Sequence, residues 1–387
     1  MTRKIFIVSG EHSGDALGAK LVDALRTASG VPLEFTGVGG ELMAEQGFKS
    51  IFPLADVAVM GPLSILPKLP RIVKRVYQTV DAALAADPDI VVIIDSPEFT
   101  HPIAQRIRRR RPDIPIIDYV SPTVWAWRPG RARKMKPYVD HLLALLPFEP
   151  EAHERLGGPP CTYVGHPLIE RADWLSNLKP ADLAVRLNLE TAAMPIVVLP
   201  GSRSSEVERL LSVFGETIEK LSAQGRRLEI LIPAVPHLRS EVEERTAQWP
   251  SRVHILDGET DKFTAFRLAR AALAASGTVT LELGLAGTPM VVAYRVDALA
   301  AKLRFLVKVE TIVLSNLVLG EKAFPEFIQE DCDADRLAGA LGEILEDGPA
   351  RQAQLAALDK IADRLALPSG TPSDKAAQII LEHMKAK

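Results

Sequence analysis

One aspartate of this chain stands where a catalytic carboxylate is expected. Asp95 directly follows the apolar run Val91-Val92-Ile93-Ile94 and precedes Ser96-Pro97. A carboxylate at the end of a buried strand is partly desolvated, and partial desolvation suits it to take up a proton as a general base. Alternatively, Asp95 caps the following helix or hydrogen-bonds a nearby glycine-rich turn. We predict a catalytic role.

A second candidate group is an arginine at a strand end in the second half of the chain. In Leu199-Pro200-Gly201-Ser202-Arg203 an apolar strand runs into a short loop, and a helix is expected to begin near Ser204. A guanidinium can fork onto two oxygens and helix-terminal N–H groups add donors, so Ser202 and Arg203 suit a diphosphate. An arginine in an exposed loop is commonly just solvated. The position after a buried strand favours the binding role.

A turn of small residues follows another predicted strand, at 271–275. Ser276, Gly277 and Thr278 would offer unpaired backbone N–H groups to a phosphate at the start of a helix. Glu282 lies about 7 to 8 Å further along that helix, roughly the reach from a diphosphate to a ribose. The alternative is an ordinary capped helix with an exposed glutamate. We predict that a nucleotide lies along this helix end.

A glycine-rich turn also follows the first predicted strand, in Ser9-Gly10-Glu11-His12-Ser13-Gly14-Asp15. Ser13, Gly14 and Asp15 would form an anion-binding loop, because small residues let backbone N–H groups approach a phosphate at a helix start. The sequence is not G-x-G-x-x-G and no acidic residue ends the second strand, so a nicotinamide dinucleotide site is poorly supported. The alternative is a tight turn in which Ser13 or Asp15 caps the helix.

Short apolar runs that alternate with amphipathic segments would position these groups. The pattern is typical of βαβ units that build parallel sheets. The predicted strands are 4–9, 33–38, 90–95, 114–120, 142–146, 196–200, 228–233, 253–256, 271–275 and 290–294. Helices are predicted over 14–28 and 72–86, and residues 334–387 are predicted to form two or three helices with no strand.

The expected fold class is therefore α/β, with two Rossmann-like doubly wound domains facing across a cleft and with C-terminal helices. The pattern loosens over 167–194, which places the domain boundary there. We expect a first domain over 1–170, a second over 190–365, and a final helix within 366–387 that packs on the first domain or on a partner. Ligands of such folds bind outside the carboxyl ends of the strands.

The composition excludes several classes of protein. With 387 residues, 47% of them hydrophobic and a net charge of -3, the chain is globular and has no global basic field for nucleic acid. Two cysteines, Cys161 and Cys332, fit a reducing compartment. The N-terminal residues are typical of a first strand rather than a signal peptide, and no apolar run reaches the length of a membrane span. A soluble or membrane-peripheral protein is expected.

The sequence gives little support for a metal site. Asp331-Cys332-Asp333 has an Asp-x-Asp form, but it precedes a predicted helix and is better explained as a capping loop. The eight histidines form no H-E-x-x-H motif and no Cys/His cluster. We expect neither a metal nor another cofactor.

Taken together, these motifs resemble those of the lipid-A-disaccharide synthase family, in order and spacing over nearly the whole chain. The most specific element is Val120-Ser121-Pro122-Thr123-Val124-Trp125-Ala126-Trp127-Arg128. The resemblance implies a B-type glycosyltransferase that joins UDP-2,3-diacylglucosamine to 2,3-diacylglucosamine 1-phosphate, with a β-1,6 linkage and inversion. It also implies that Asp95 and Arg203 are essential, that 276–278 and Glu282 contact the donor nucleotide, and that Asn316 is a further donor contact.

Acylated substrates would require an apolar surface close to a bilayer. The segment 57–67 is a candidate, with basic residues directly after it, because apolar residues beside a basic stripe suit shallow insertion into an anionic leaflet. The predicted membrane or acyl contacts are Val59, Met60, Leu63, Ile65, Leu66 and Arg71. Alternatively, this segment is buried under the first domain. The basic run 106–111 is better explained as a solvated helix end.

The expected location is cytoplasmic, on the inner face of the inner membrane, and a homodimer is one assembly that the sequence leaves open. The nearest rival function is another UDP-N-acetylglucosamine enzyme of similar fold, either a 2-epimerase or a peptidoglycan-type transferase. A non-catalytic nucleotide-binding module, in which Asp95 is structural, is a rival from a different class.

Overall fold

The computed structural model describes residues 2–58, 68–296 and 310–385. The chain divides into two compact units. The first comprises Met1–Pro167 and Leu367–Lys387, and the second comprises Leu168–Ala366. The first unit therefore contains both ends of the chain, and the second is inserted between them.

The first unit is built on a seven-stranded sheet in the order β3-β2-β1-β4-β5-β6-β7, with every pairing parallel. Its strands are β1 (Arg3–Ser9), β2 (Leu33–Val38), β3 (Lys49–Ser50), β4 (Ile90–Ile94), β5 (Ile116–Tyr119), β6 (His141–Ala144) and β7 (Cys161–Tyr163). The order reverses direction beside β1 and β4, as in a Rossmann-like sheet, where ligands bind at the point of reversal.

Helices cover both faces of this sheet. They are α1 (His12–Ala28), α2 (Glu41–Glu45), α3 (Leu69–Ala86), α4 (Pro97–Arg110), α5 (Gly130–Met135) and α6 (Glu149–Leu156). The helix Pro372–Lys385, at the far end of the chain, belongs to this unit and packs against α1. Alternate residues of β1 serve the two faces: Ile5 and Ile7 lie in the core beneath α1, and Phe6 and Val8 lie in the opposite core.

The second unit repeats the scheme with a six-stranded parallel sheet in the order β10-β9-β8-β11-β12-β13. Its strands are β8 (Met194–Leu199), β9 (Leu228–Pro233), β10 (Arg252–Leu256), β11 (Ala271–Ala275), β12 (Met290–Tyr294) and β13 (Glu326–Ile328). Its described helices are α7 (Ala172–Ser176), α8 (Pro180–Arg186), α9 (Ser204–Ala223), α10 (Arg239–Thr246), α11 (Gly258–Leu268), α12 (Val279–Ala286), α13 (Leu314–Leu319), α14 (Ala334–Leu345) and α15 (Pro349–Leu365). In chain order Pro372–Lys385 is then α16.

The expected fold of two Rossmann-like domains followed by C-terminal helices is confirmed. Each predicted strand is present, with its ends shifted by no more than two residues, because strands buried on both faces of a parallel sheet are continuous apolar runs. Three short strands at the sheet edges, β3, β7 and β13, were not predicted. The stretch after Asp333 forms three helices and no strand, as expected. Among the described residues, no helix is long and apolar enough to cross a membrane.

Candidate active site

In the first unit, the predicted base and the glycine-rich turn lie together at the ends of β4 and β1. Asp95 is half-buried. The Ser13 hydroxyl donates to its Oδ2 over 3.2 Å, and the backbone N–H of Ser96 donates to its Oδ1 over 2.7 Å. Asp95 therefore does contact the glycine-rich turn, as the alternative interpretation proposed. Two hydrogen bonds orient the carboxylate and leave lone pairs on both oxygens.

The glycine-rich turn has two parts with different roles. Gly14 lies against the end of β4, where a Cβ would come within 3.3 Å of the Ile94 carbonyl oxygen. Ser13 is exposed beside Asp95. The suggestion that Ser13 or Asp15 caps α1 is wrong, because α1 begins at His12 and its N-cap residue is Glu11, which makes no side-chain cap.

Asp15 is not available to a ligand of this loop. Its carboxylate is buried and accepts the backbone N–H groups of Gly40, Leu42 and Met43 at 2.7, 3.0 and 3.2 Å. Both oxygens thus cap the start of α2. The predicted anion-binding role of Asp15 is corrected to a structural one, because a carboxylate engaged with three N–H donors braces the neighbouring turn.

Left-handed backbone at residues other than glycine clusters at the ends of β4 and β5. The φ angles are 54° at Asp95, 45° at Ser96, 92° at Val120 and 52° at Arg128. Such conformations cost free energy, most of all for a β-branched residue, and they persist where the surrounding structure holds them. Their concentration marks this edge of the first sheet as a candidate site.

The tryptophan-rich loop after β5 is fastened by a buried glutamate that the sequence did not single out. Nε1 of Trp125 donates to Oε1 of Glu149 over 3.1 Å. The other oxygen of Glu149 accepts the N–H groups of Leu145 and Leu146 at 3.1 and 2.9 Å. Burial raises the pKa of Glu149 to about 7, against the opposing effect of these hydrogen bonds. The carboxyl group thus joins the loop to the end of β6.

The exposed part of the same loop carries an aromatic ring and a cation. Trp127 is 39% exposed, and the guanidinium of Arg128 lies 4.0 Å from the centre of its ring. At the base of the loop, Nε2 of His153 lies 2.9 Å from the Ser121 hydroxyl. Buried residues at the bottom of the loop thus support an exposed aromatic ring and a cation. These two groups suit contact with the face of a sugar and with an anionic group.

The second unit contains a cavity of about 550 Å³ at the carboxyl ends of β8, β9, β10 and β11. It collects most of the residues predicted to bind a nucleotide. Its lining residues are Leu199, 201–203, Glu206, 233–236, Leu256, Gly258, Glu259, Lys262, 275–279 and Glu282. The cavity is therefore shared by Ser202, Arg203, Ser276, Gly277, Thr278 and Glu282. The strand-end argument predicted this for a doubly wound sheet.

The start of α12 presents backbone donors to this cavity. Gly277 has φ of 150°, and a Cβ at this position would meet no atom within 4 Å, so the backbone is open to a ligand. Among the described residues, the N–H groups of Gly277, Thr278 and Val279 meet no acceptor. The Ser276 hydroxyl is engaged, because it donates to the Ile312 carbonyl over 2.7 Å. The Ser276 hydroxyl is therefore already used within the chain, whereas residues 277–279 present open backbone N–H groups to the cavity.

The charged residues of the cavity form pairs. Arg203, 63% exposed at its side chain, pairs with Glu206, which sequence reasoning missed. Glu282 is mostly buried rather than exposed, and its Oε2 lies 2.5 Å from Nζ of Lys262. Glu259 pairs with Arg171. Each acid that lines the cavity thus has a cation of its own.

Asn316 is not among the described residues that line the cavity. Its side chain is buried, with Nδ2 donating to the Phe324 carbonyl over 2.9 Å and to Oγ1 of Thr311 over 3.3 Å. Its Oδ1 accepts the Phe324 N–H over 3.0 Å. The implied direct donor contact is corrected to a bracing role, because the amide is already occupied by the chain itself.

The predicted membrane residues are only partly within the structure. Val59, Met60, Leu63, Ile65 and Leu66 lie outside the described residues. Arg71, on α3, is exposed and its Nη1 lies 3.7 Å from Oδ1 of Asp56. The same helix exposes Leu69, Val73 and Tyr77, each 46–47% exposed and spaced by four residues, so the three form one apolar stripe.

The remaining charged motifs have local roles. In the run 106–111, Arg108, Arg110 and Arg111 form ion pairs with Asp140, Asp81 and Asp87, and these pairs lie at the surface. Asp333 accepts the N–H groups of Asp335 and Arg336 at 3.1 and 3.0 Å and is the N-cap of α14, as predicted. In the described part of the chain, no three His, Cys, Asp or Glu residues are grouped so as to hold a metal ion.

Two solved structures illustrate proteins with a similar fold. The UDP-GlcNAc 2-epimerase of Neisseria meningitidis, bound to UDP-GlcNAc, superposes with a TM-score of 0.64 at 13% identity, and the match covers 99% of this chain and all of that one (100%). The MurG protein of Acinetobacter baumannii gives a TM-score of 0.61 at 12% identity, over 98% of this chain and 99% of its own. At these identities the likeness establishes the fold alone.

The sequence itself is much closer to one family. Residues 5–380 match the family model described as lipid-A-disaccharide synthetase. The lipid-A-disaccharide synthase of Nitrobacter winogradskyi is 51% identical over 385 residues, 99% of this chain and 96% of that protein. That of Rhodopseudomonas palustris strain HaA2 is 50% identical over 384 residues, 99% of this chain and 97% of that protein. The chain therefore belongs to the lipid-A-disaccharide synthase family of glycosyltransferases.

Proposed function

We propose that the protein transfers 2,3-diacylglucosamine from its UDP derivative to the 6-hydroxyl of 2,3-diacylglucosamine 1-phosphate. The products are a β-1,6-linked disaccharide 1-phosphate and UDP, and the anomeric configuration inverts. The observation that carries the proposal is the cavity of the second unit, where open N–H groups, Arg203 and Glu282 share one space in a chain of this family.

The cavity can hold the donor through its diphosphate and its ribose. The N–H groups of Gly277, Thr278 and Val279 and the guanidinium of Arg203 supply donors to phosphate oxygens. Glu282 lies further along α12, where its carboxylate suits the hydroxyl groups of a ribose. The similar epimerase of Neisseria meningitidis was solved with UDP-GlcNAc, which supports a UDP-sugar as the ligand class.

The transfer step then needs one base and one stabilised leaving group. Asp95 takes the proton of the acceptor 6-hydroxyl as that oxygen attacks the anomeric carbon in line. The bond from this carbon to the diphosphate oxygen breaks, and UDP leaves with the electron pair. Arg203 and the start of α12 stabilise the negative charge that develops on the leaving phosphate. A single displacement of this kind inverts the anomeric centre.

We propose that this chemistry proceeds without a metal or another cofactor. The reason is the donor set already on the cavity wall, where a guanidinium and a helix N-terminus can do the work of a Lewis acid at the leaving phosphate. Activity that is unchanged by excess chelator is the expected result. Loss of activity in chelator that Mg²⁺ restores would contradict the proposal.

We propose further that the enzyme works at the cytoplasmic face of the inner membrane, where acylated substrates reside. The apolar stripe of Leu69, Val73 and Tyr77 lies on the helix that also carries the exposed Arg71 and Lys74. Apolar residues beside cations favour an anionic bilayer surface. Binding to vesicles with and without anionic lipid tests this part of the proposal.

The deciding experiment incubates the protein with UDP-diacylglucosamine and diacylglucosamine 1-phosphate. Mass spectrometry should find the disaccharide phosphate, and the proton coupling at the new anomeric centre should be that of a β linkage. Asp95→Asn should bind UDP as the wild type does but lose transfer by roughly a thousandfold or more. A folded variant with near-normal turnover would remove Asp95 as the base.

A control reaction offers UDP-N-acetylglucosamine without an acceptor. The proposal predicts no conversion of this compound. Formation of an epimerised product, together with no disaccharide from the acylated pair, would replace the transferase by a 2-epimerase.

A further inference from the structure

A buried chain of three polar side chains lies behind Asp95 and has no part in the proposed transfer. Asp118, on β5, is 1% exposed, and its Oδ2 lies 3.1 Å from Nε2 of His101 on α4. Nδ1 of the same imidazole lies 3.0 Å from the hydroxyl of Tyr138. All three residues are buried.

Burying Asp118 in this core costs free energy compared with burying an apolar side chain. Burial raises the pKa of Asp118, and the nearby imidazole of His101 opposes that shift. Oδ2 lies 3.1 Å from the imidazole, but among the described residues it has no partner that meets the geometry of a hydrogen bond. A buried, incompletely paired acid contributes little to stability compared with an apolar side chain, so its presence requires another explanation.

The chain neighbours of this pair hold the backbone of Asp95 from both sides. Thr100, next to His101, donates its hydroxyl to the Asp95 carbonyl oxygen over 2.7 Å. Tyr119, next to Asp118, accepts the Asp95 N–H with its carbonyl over 3.0 Å. Any shift of α4 against β5 would therefore move Asp95.

The held segment is strained. Asp95 and Ser96 both have left-handed backbone, at φ of 54° and 45°, and neither is glycine. The Thr100 hydroxyl also reaches the Ser96 carbonyl oxygen over 3.1 Å. Two consecutive strained residues persist only where their surroundings determine the conformation. The contacts from Thr100 and Tyr119 provide that constraint.

We propose that the Asp118–His101 pair and the Thr100 hydroxyl form a positioning device for Asp95. The pair fixes α4 against β5, and Thr100 fixes the turn, so that the Asp95 carboxylate keeps the orientation needed to take a proton from the acceptor. The inference rests on the proposed transfer reaction. Asp118, His101 and Thr100 are positioning residues, because they act through Asp95 and not on the substrate.

The first test removes one hydroxyl without changing the shape of the side chain. Thr100→Val should lower kcat roughly tenfold to 100-fold, because small misplacements of a reacting group have effects of this size. KM for the donor and the Kd for UDP should stay within about twofold of wild type, since UDP is proposed to bind the second unit. Thr100→Ser, which keeps the hydroxyl, should restore most of kcat.

Thr79→Val is the matched control. Thr79 is equally buried in the first unit, and its hydroxyl donates to the Arg75 carbonyl within α3 over 2.8 Å. This variant should lose stability to an extent similar to that of Thr100→Val and keep its kcat. Equal losses of kcat in the two variants would reduce Thr100 to a structural residue and overturn the proposal.

The second test is a double-mutant cycle with the base. Asp118→Asn should lower kcat in the wild-type background and have no further effect on the residual rate of Asp95→Asn, because the two changes act on one group. Additive losses would overturn the proposal, as would a folded Asp118→Asn or Thr100→Val variant with wild-type kcat. Absence of disaccharide from the wild type itself would instead remove the proposed function on which the inference depends.

Discussion

Nη1 of Arg203 lies 2.8 Å from Oε1 of Glu206, and the other oxygen of that carboxylate accepts the N–H groups of Ser202 and Arg203 at 3.1 and 3.3 Å. Glu206 thus accepts two N–H groups just before α9 and also engages the guanidinium that is proposed to bind the diphosphate of the UDP-sugar. We expect a bound diphosphate to compete with this carboxylate for Arg203.

This competition predicts that Glu206→Gln strengthens UDP binding. The amide can still accept a backbone N–H, but it removes one negative charge from the cavity and frees the guanidinium of Arg203. The Kd for UDP should fall by roughly threefold to tenfold, and the gain should shrink at high ionic strength. Calorimetric titration at two salt concentrations measures both effects.

Glu208→Gln is the control for this prediction. It makes the same change of charge at an exposed position on the same helix, and it should leave the Kd within about twofold of wild type. Weaker UDP binding by Glu206→Gln would show that the glutamate orients Arg203 for the ligand and does not compete with it.

The pairing of Lys262 with Glu282 predicts a change in ribose recognition. Lys262→Met keeps the length of the side chain but leaves the Glu282 carboxylate without its partner at 2.5 Å. The preference for UDP over 2′,3′-dideoxy-UDP should fall by about fivefold or more, because an unheld carboxylate no longer presents an oxygen to the hydroxyl groups. Lys220→Met, which breaks the surface pair with Asp335, should leave the preference intact. An unchanged preference in Lys262→Met would contradict the role.

From the raised pKa of Glu149 we expect a loss of stability as the pH rises. Its pKa is raised by burial from 4.5 to about 7, so folding favours the protonated acid. Its contribution is fully present below pH 4.5 and is lost as the pH rises through 7, by ~3 kcal/mol at most. Glu149→Gln has no proton to lose. Its free energy of unfolding should therefore change less than that of wild type between pH 4.5 and 7.

Urea unfolding across this range measures the slope, which is the informative quantity because the amide also changes the local hydrogen bonds. Glu151→Gln, at an exposed position on the same helix, should keep the wild-type slope. Identical slopes for Glu149→Gln and wild type would show that folding does not raise the pKa of Glu149.

For two buried histidines we expect the opposite trend, a loss of stability as the pH falls. Burial lowers the pKa of His153 and of His166 from 6.5 to about 4. A depressed pKa means that the unfolded chain takes up protons first, so stability present above pH 6.5 is lost as the pH falls to 4, by about 1 to 3 kcal/mol for each group. The double variant His153→Gln/His166→Gln should have a flatter acid limb in urea unfolding. His237→Gln, at an exposed position in the second unit, should not.

Much of the fold was predictable because the sheet strands are continuous apolar runs. The edge strand Cys161–Tyr163 escaped prediction, since three half-buried residues carry no periodic pattern. The strand-end argument placed Asp95, Arg203 and 276–278 correctly at the carboxyl edges of their own sheets, because parallel strands all end at the same edge. What stands beside each residue depends on contacts between distant segments.

Those contacts explain the roles that sequence reasoning missed. Asp15 and Asn316 look like ligand-binding residues in sequence, yet their polar atoms are used by N–H and carbonyl groups 8 to 28 positions away. For Asp118 the sequence does indicate a buried polar contact, because an acid inside the apolar strand Ile116–Tyr119 must find a partner when buried. It does not identify that partner as His101.

The helix Pro372–Lys385 bears on how the chain folds as it is synthesised. Its residues Ala376, Ala377, Ile380 and Met384 belong to the same core as Ile5 and Ile7 of the first strand. On the ribosome, residues 168–366 emerge complete before this helix does. The second unit can therefore close its core first, whereas the core beneath α1 in the first unit is completed only when residues 372–385 have emerged. For that core the usual N-terminal-first order is reversed.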